Sequence, residues 1–322
     1  MPHSLERVIA SMPSTPLPGF FRPLERIITF DDFDSGLNGW VPLSPNFRQD
    51  KRDYFPSQRR HIDWGTPMLS NATFGYLGSH GSAAGTYSMK VPTRPVAAPA
   101  QELPVAGSLG IALKRLTLPR ERFLRFEMVF ALKAEQDRPS IGDSDIRAFG
   151  FTWDIQDSQK RYFIGARFMN AANGVMQQRW QYLKASDGSD EEWGELGESA
   201  VGHDPESGAT KKVFIKRGLG SEHLGKRYAD GSGDGFVDVP GGRQELCYNE
   251  TADKINWHHM SLTIDLVTRQ YVSLSCLNED FDLRGIEATL VEPYPRINQL
   301  LNPLLWVEAD THRRVFLFVD SV

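Results

Sequence analysis

Cysteine is scarce in this sequence: Cys247 and Cys276 are the only two in 322 residues. They are too few and too irregularly spaced for a disulfide framework or a zinc site, and both read as reduced structural thiols. Long apolar runs are lacking as well, with no stretch of about 18 apolar residues that would span a bilayer as a helix. The opening "MPHSLERVIASMPSTPLPGFFRPLERIITF" has no unbroken apolar core of the kind a secretory signal needs, so the expectation is a cytoplasmic protein. Positive charge is not in excess: 36 Lys and Arg stand against 41 Asp and Glu, a formal net charge of -5. Phosphate backbones are bound by basic stripes and none stands out, which argues against nucleic acid and leaves small, neutral or locally charged ligands.

Amphipathic helical segments are nearly missing too, and the positive signal is a period of two. In "RFLRFEMVFALKAE", Leu124, Phe126, Met128, Phe130 and Leu132 fall on one face, with Arg125, Glu127 and Lys133 on the other. "AFGFTWDI" puts Phe149, Phe151, Trp153 and Ile155 opposite Thr152 and Asp154. With "RYFIGARFMN" and "VMQQRWQYLK" it reads as a three-stranded meander. Residues 1–26 carry Pro13, Pro16, Pro18 and Pro23, which predict an extended N-terminal arm ahead of a single sandwich domain over residues 27–322. Residues 184–250, rich in Gly, Asp, Glu and Ser, read as long loops, with short strands around "KKVFIKRG" and "RQELCYN".

The adjacent histidines of "INWHHMSLTIDLVTRQYVSLSC" are split by the pleat. His258, Met260, Leu262, Ile264 and Leu266 share one face, continued by Val272, Leu274 and Cys276 after a turn. His259 falls on the polar face beside Trp257. Two neighbours on opposite faces cannot both ligate one metal without breaking the strand. His258 is read as a core or rim histidine and His259 as an available contact residue.

The segments "ITFDDFDSGLNGW" and "RVFLFVDSV" resemble the first and closing strands of concanavalin A-like and carbohydrate-binding jelly-roll domains, and the hairpin from Trp257 to Cys276 is similar to one of their hairpins. "NFRQDKRDYFPSQ", "GSHGSAAGTYSMKV" and "IRAFGF" look like segments of an uncharacterised bacterial family within that superfamily. The resemblance implies an all-β, antiparallel jelly-roll β-sandwich with long loops. It also implies a structural calcium held by an acidic residue near the first strand, Asp31 or Asp32, together with Asp320. Two carboxylates are only part of the six to eight oxygens calcium takes, so carbonyls or water must complete the shell. The loop "DGSGDGF" has an EF-hand-like start at Asp230, Ser232 and Asp234, but Gly241 stands where the bidentate Glu belongs, and it reads as a turn.

Glucanases of this architecture carry carboxylates at alternate positions on one strand. The nearest match, Glu308 and Asp310 in "WVEADTHRR", lacks the third, since His312 and Arg313 follow. Lyase chemistry needs Arg or Gln to neutralise a substrate carboxylate and a His or Tyr as base. Asp154, Arg167 and His259 are the polar residues available for catalysis. Arg167, Gln178, Trp180 and Tyr182 of the meander, with His80 in "FGYLGSHGSAAGTYSMKV" and Arg94 nearby, are expected to supply a ligand-binding surface, an aromatic ring taking the C–H face of a sugar while amides and guanidinium read its hydroxyls. The basic "RQDKRDYFPSQRRH" suits an anionic sugar or the acidic surface of a second subunit in a homo-oligomer. The leading expectation is a sandwich that binds a carbohydrate or related small molecule on its concave face. The alternatives are a sugar-active hydrolase or lyase and a structural or assembly protein.

Overall fold

The computed structural model describes residues 27–42, 67–71, 81–93, 109–134, 143–172, 174–184, 201–203, 210–212, 236–246, 255–291, 293–311 and 313–322. Eighteen strands occur among them: β1 (Val41–Pro42), β2 (Met68–Asn71), β3 (Tyr87–Pro92), β4 (Leu109–Leu113), β5 (Leu116–Thr117), β6 (Phe123–Ala134), β7 (Ile146–Gln156), β8 (Arg161–Ala172), β9 (Val175–Leu183), β10 (Val201–His203), β11 (Thr210–Lys212), β12 (Phe236–Arg243), β13 (His258–Asp265), β14 (Gln270–Cys276), β15 (Glu279–Asp282), β16 (Thr289–Val291), β17 (Leu300–Ala309) and β18 (Val315–Ser321). They build two facing antiparallel sheets, the jelly-roll sandwich that the alternation and the end-strand resemblance lead one to expect. Sheet A runs β1-β4-β17-β7-β8-β9-β12, with β5 beside β17 and β16 beside β8. Sheet B runs β15-β14-β13-β6-β18-β3-β2. β10 and β11 form a separate pair.

The core lies between the sheets and comes from the predicted alternation. Leu124, Phe126, Met128, Phe130 and Leu132 of β6 face Phe149, Phe151, Trp153 and Ile155 of β7, and Phe126 stacks on Phe151 with ring centroids 3.5 Å apart. Met260, Leu262 and Ile264 of β13 and Val315, Leu317 and Val319 of β18 complete sheet B's inner face. Each fully buried side chain of this kind contributes roughly 1.5–3 kcal/mol through removal of apolar surface from water. The meander is β7, β8 and β9, neighbours in sheet A.

Two details differ from the sequence reading. A bulge at Thr263/Ile264 leaves Val272 out of register, so Tyr271 rather than Val272 enters the core with Leu274 and Cys276. The strand expected in "RQELCYN" lies earlier, at β12, where Pro240, Gly241 and Gly242 sit in an irregular stretch between Asp238 and Arg243 on the edge of sheet A. An edge tolerates a proline because the missing N–H faces away from the ladder.

Tyr271 also mends a gap in sheet A. On β8, pairing to β9 ends at Ala166 and pairing to β16 begins at Phe163. The Tyr271 hydroxyl reaches across from sheet B to the Gly165 between them. It accepts the Gly165 N–H at 2.8 Å and lies 2.9 Å from the Gly165 carbonyl and 2.8 Å from that of Leu183, one of which takes its proton. Burial pushes the phenol's pKa up, which keeps it a neutral donor.

Candidate functional site

The outward face of sheet A carries residues that an ordinary solvated sheet face does not. A second apolar cluster lies here, formed by Ile111, Leu113, Phe163, Met169, Leu304, Trp306 and Phe236 among others. Between its members are Thr152, Asp154, Arg147, Arg167, Gln181 and Glu308, all buried. Buried polar groups persist only where they are partnered, so their contacts define what the face can do.

Strand register sets them in rows. The central row runs from β4 to β12: Ile111 pairs with Trp306, Trp306 with Gly150, Gly150 with Arg167, Arg167 with Gln181, and Gln181 with Asp238. The glycine makes the row possible. A Cβ on Gly150 would stand 2.2 Å from Trp306 Cζ2, so the indole lies directly over the bare backbone of β7. Its Nε1 is 3.4 Å from the Thr152 hydroxyl. Phe236 meets the indole edge-on at 6.1 Å and lies under the Arg167 guanidinium, whose carbon is 4.1 Å from the ring centroid. Arg167 Nε donates to Gln181 Oε1 at 2.7 Å, and Gln181 Nε2 donates to Asp238 Oδ1 at 2.6 Å. Arg179 Nε lies 3.2 Å from the same carboxylate. The chain thus leads from a fully buried guanidinium to a half-exposed pair, with Asp238 and Arg179 side chains 51% and 31% exposed.

Two further polar groups flank the row. Toward the start of β7, a bulge at Arg147 lets its guanidinium reach Glu308, at 3.4 Å, and Asp310, at 3.0 Å, while the other Asp310 oxygen accepts the Gly174 N–H at 2.7 Å. The carboxylates singled out as a partial glucanase pattern are therefore bridged by an arginine. Toward the far end, Asp154 accepts from Arg161 Nε at 2.8 Å and from Arg161 Nη2 at 3.0 Å, a bidentate pair. Both carboxylate oxygens are committed, so Asp154 positions Arg161.

The family description "Domain of unknown function (DUF6772)" matches residues 16–322. The chain belongs to this family. No curated protein matches the sequence. Among solved structures, a double mutant of an alginate lyase in complex with an alginate tetrasaccharide aligns over 87% of this chain and 96% of its own, with 11% identity and a TM-score of 0.30.

In this DUF6772 member the residues singled out from sequence fall in different places. Arg167 and Asp154 share the outward face of sheet A, with Thr152 and Arg179. Trp180 does not: it pairs with Phe168, is fully buried between the sheets, and donates its indole N–H to Gln244 Oε1 at 2.8 Å. Tyr182 also turns inward, its ring 5.9 Å from that of Tyr271. Gln178 is half-buried at a left-handed position, φ 49°, and its carbonyl accepts the Gln244 N–H. The rings on that face are instead Trp306 and Phe236, both buried, because one residue of strand phase separates Trp180 from Gln181. His259 lies on β13 in sheet B, opposite Val129 of β6 and 3.9 Å from Glu127, so it cannot join Asp154 and Arg167 in one site. Burial raises the Glu127 pKa, but the neighbouring His259 and the Arg125 charge outweigh that and hold it below the usual value. His80 and Arg94 lie outside the described residues.

Each acidic residue expected to hold calcium gives one carboxylate oxygen to donors of the protein itself. Asp31 is buried and accepts from Lys114 Nζ at 2.6 Å and Trp40 Nε1 at 2.9 Å, which already places a cation on it. Asp32 accepts the Asp34 N–H at 3.2 Å. Asp320 Oδ1 takes the Ser82 hydroxyl and the N–H groups of Ala83 and Ala84. Calcium takes six to eight oxygens, so carbonyls or water would have to supplement the second oxygen of each. Among the described residues no group of three or more His, Cys, Asp or Glu side chains is arranged to hold a metal ion.

Proposed function

We propose that the outward face of sheet A binds a carbohydrate, with Asp238 and Arg179 as the contact residues and Gln181 and Arg167 positioning them. The observation that carries this reading is the central row. Donors and acceptors in it are linked in series from a buried guanidinium to a half-exposed carboxylate, backed by the buried rings of Phe236 and Trp306. A sugar presents adjacent hydroxyls, each donor and acceptor, on a ring with apolar C–H faces. A carboxylate and a guanidinium fixed side by side read such a pair of hydroxyls. Fixing them in advance lowers the ordering cost of binding.

The test is a thermal-shift screen of the protein against neutral sugars and uronic acids. A ligand that binds only the folded state at a hundredfold excess over its Kd stabilises it by about 2.7 kcal/mol. Asp238→Asn and Arg179→Ala, both at half-exposed positions, are expected to abolish the shift. Trp180→Phe, which changes the core, is expected to preserve it. Wild-type shifts in both Asp238→Asn and Arg179→Ala, or no shift with any sugar, would overturn the assignment.

A further inference from the structure

At the far end of the same face a second station is built around Tyr294. This tyrosine is 44% exposed, yet its backbone is fixed by a buried residue: Gln156 Oε1 accepts the Tyr294 N–H at 2.8 Å, and Gln156 Nε2 donates to the carbonyls of Tyr294 at 2.9 Å and Ile297 at 2.5 Å. Its side chain is fixed as well. Arg161 Nη2 donates to the Tyr294 hydroxyl at 3.0 Å, and the guanidinium carbon lies 3.8 Å from the ring centroid and 5.0 Å from that of Phe163. The bidentate Asp154 holds Arg161 in turn. One side of the phenol ring is thereby backed by charge and the rest faces solvent. An exposed aromatic held by this many bonds is pre-organised for contact, because stacking on it costs no further side-chain ordering.

The adjoining row adds a hydrogen-bonding position. Asn302 pairs with Asp154 in register, and Asp154 with Phe163. Asn302 is half-buried, and its Oδ1 is a buried acceptor with no hydrogen-bond partner. A buried acceptor without a donor is costly, and a ligand hydroxyl would satisfy it.

We infer that the Tyr294, Arg161 and Asn302 end is a second sugar subsite, and that the ligand is an oligosaccharide running obliquely across sheet A from β12 and β9 toward β8 and β17 rather than a single sugar. The inference rests on the carbohydrate reading of the central row and extends it. Asp154 stands four residues beyond Gly150 on β7, which sets the two rows about 13 Å apart along the strand, and Asp238 and Arg179 lie further off on β12 and β9. A monosaccharide cannot span that distance and a short oligosaccharide can. Tyr294 supplies the ring contact, Asn302 Oδ1 accepts a hydroxyl, and Arg161 and Asp154 act as positioning residues.

The experiment is titration calorimetry of the full chain with cello-oligosaccharides and galacturonate oligosaccharides from monomer to hexamer. With wild type, affinity is expected to rise with length. With Tyr294→Ala the hexamer is expected to lose about tenfold in affinity, the size of one aromatic contact, while the shortest binding sugar is unaffected. Tyr294→Phe keeps the ring and is expected to restore most of the length dependence, and Asn302→Ala to lower hexamer affinity alone. Thermal melts of each variant in the absence of sugar separate loss of binding from loss of fold. If sugars bind with no dependence on length, or the dependence survives Tyr294→Ala, the second subsite is refuted and the central site stands. If no member of either series binds, the carbohydrate reading itself falls.

Discussion

Removing one oxygen atom, in Tyr271→Phe, tests the physical account of how the two sheets are joined. The ring stays in its place in the core, 1% exposed, so no cavity larger than a hydroxyl is created. The Gly165 N–H loses the acceptor that stands in for a neighbouring strand, and one of the carbonyls of Gly165 and Leu183 loses its donor. Each of the two groups left buried and unpaired costs roughly 1–3 kcal/mol, which gives an expected loss of about 2–6 kcal/mol. Equilibrium unfolding in urea reads this as a lower midpoint at unchanged slope, since the exposed area is the same. Native-state hydrogen exchange gives a local readout, because the Gly165 amide should lose protection more than the amides of Phe149 or Phe151 in the centre of β7. A loss below about 0.5 kcal/mol, the level of an ordinary surface change, would refute the claim that the hydroxyl substitutes for strand pairing.

Gly150→Ala is expected to displace Trp306, since the new Cβ falls 2.2 Å from the indole, and to cost about 1–3 kcal/mol of stability with a shift in tryptophan emission; an unchanged spectrum and midpoint would contradict the geometry. Burial lowers the His258 pKa from its ordinary value to about 4. In the unfolded chain the group takes a proton near pH 6.5, so its contribution is complete above that pH and is lost as pH falls toward 4, at up to roughly 3 kcal/mol. His258→Leu should flatten the stability profile in that window, and an unaltered slope between pH 6.5 and 4 would show that His258 is not held neutral. Asp265 and Asp157 act below it. Burial raises each, but backbone N–H donors and Arg122 or Arg269 outweigh burial and hold both pKa values low. Their stabilisation is present above the ordinary carboxylate pKa and declines as pH falls through the lowered values, so Asp265→Asn should weaken the acid limb measured below about pH 4. Lys114 on Asp31 and the loop N–H groups on Asp320 compete with a cation, so calcium is expected to leave the thermal midpoint unmoved, and a calcium-specific rise that Asp320→Asn abolishes would refute this.

The sandwich was legible because β6, β7, β13 and β18 each bury one face on the core, and period-two alternation reports that directly. The outward face of sheet A was legible only in part. β7 announced Thr152 and Asp154 as the face opposite its aromatics. β8 and β9 carry apolar groups on both sides, Phe163 and Met169 outward and Ile164 and Phe168 inward, so alternation alone did not assign Trp180 to the core. Asp238 and Phe236 were hidden behind Pro240, Gly241 and Gly242, whose turn-like composition masks an edge strand. Trp306 sits in the nearly continuous apolar run "LLNPLLWV", which suits a strand buried on both faces and conceals which side each residue takes. The separation of His259 from Arg167 depends on which sheet each strand joins, a long-range property that no local pattern encodes. The role of Tyr271 was invisible for a related reason: its partner is a break in the other sheet.

The central row also limits how this protein can change. Trp306, Arg167, Gln181 and Asp238 come from four strands, and each reaches the row only through register with its neighbours. Inserting or deleting one residue within β8 would turn Arg167 inward and expose a core residue in its place, so this face cannot be altered by small length changes in these strands. Variation is confined to exchange of side chains at fixed positions. Gly150 is the most consequential of these, since any larger residue there lifts the indole and makes the face shallower. A descendant of this chain with a different ligand would be recognised by a non-glycine at that one position and a smaller residue in place of Trp306.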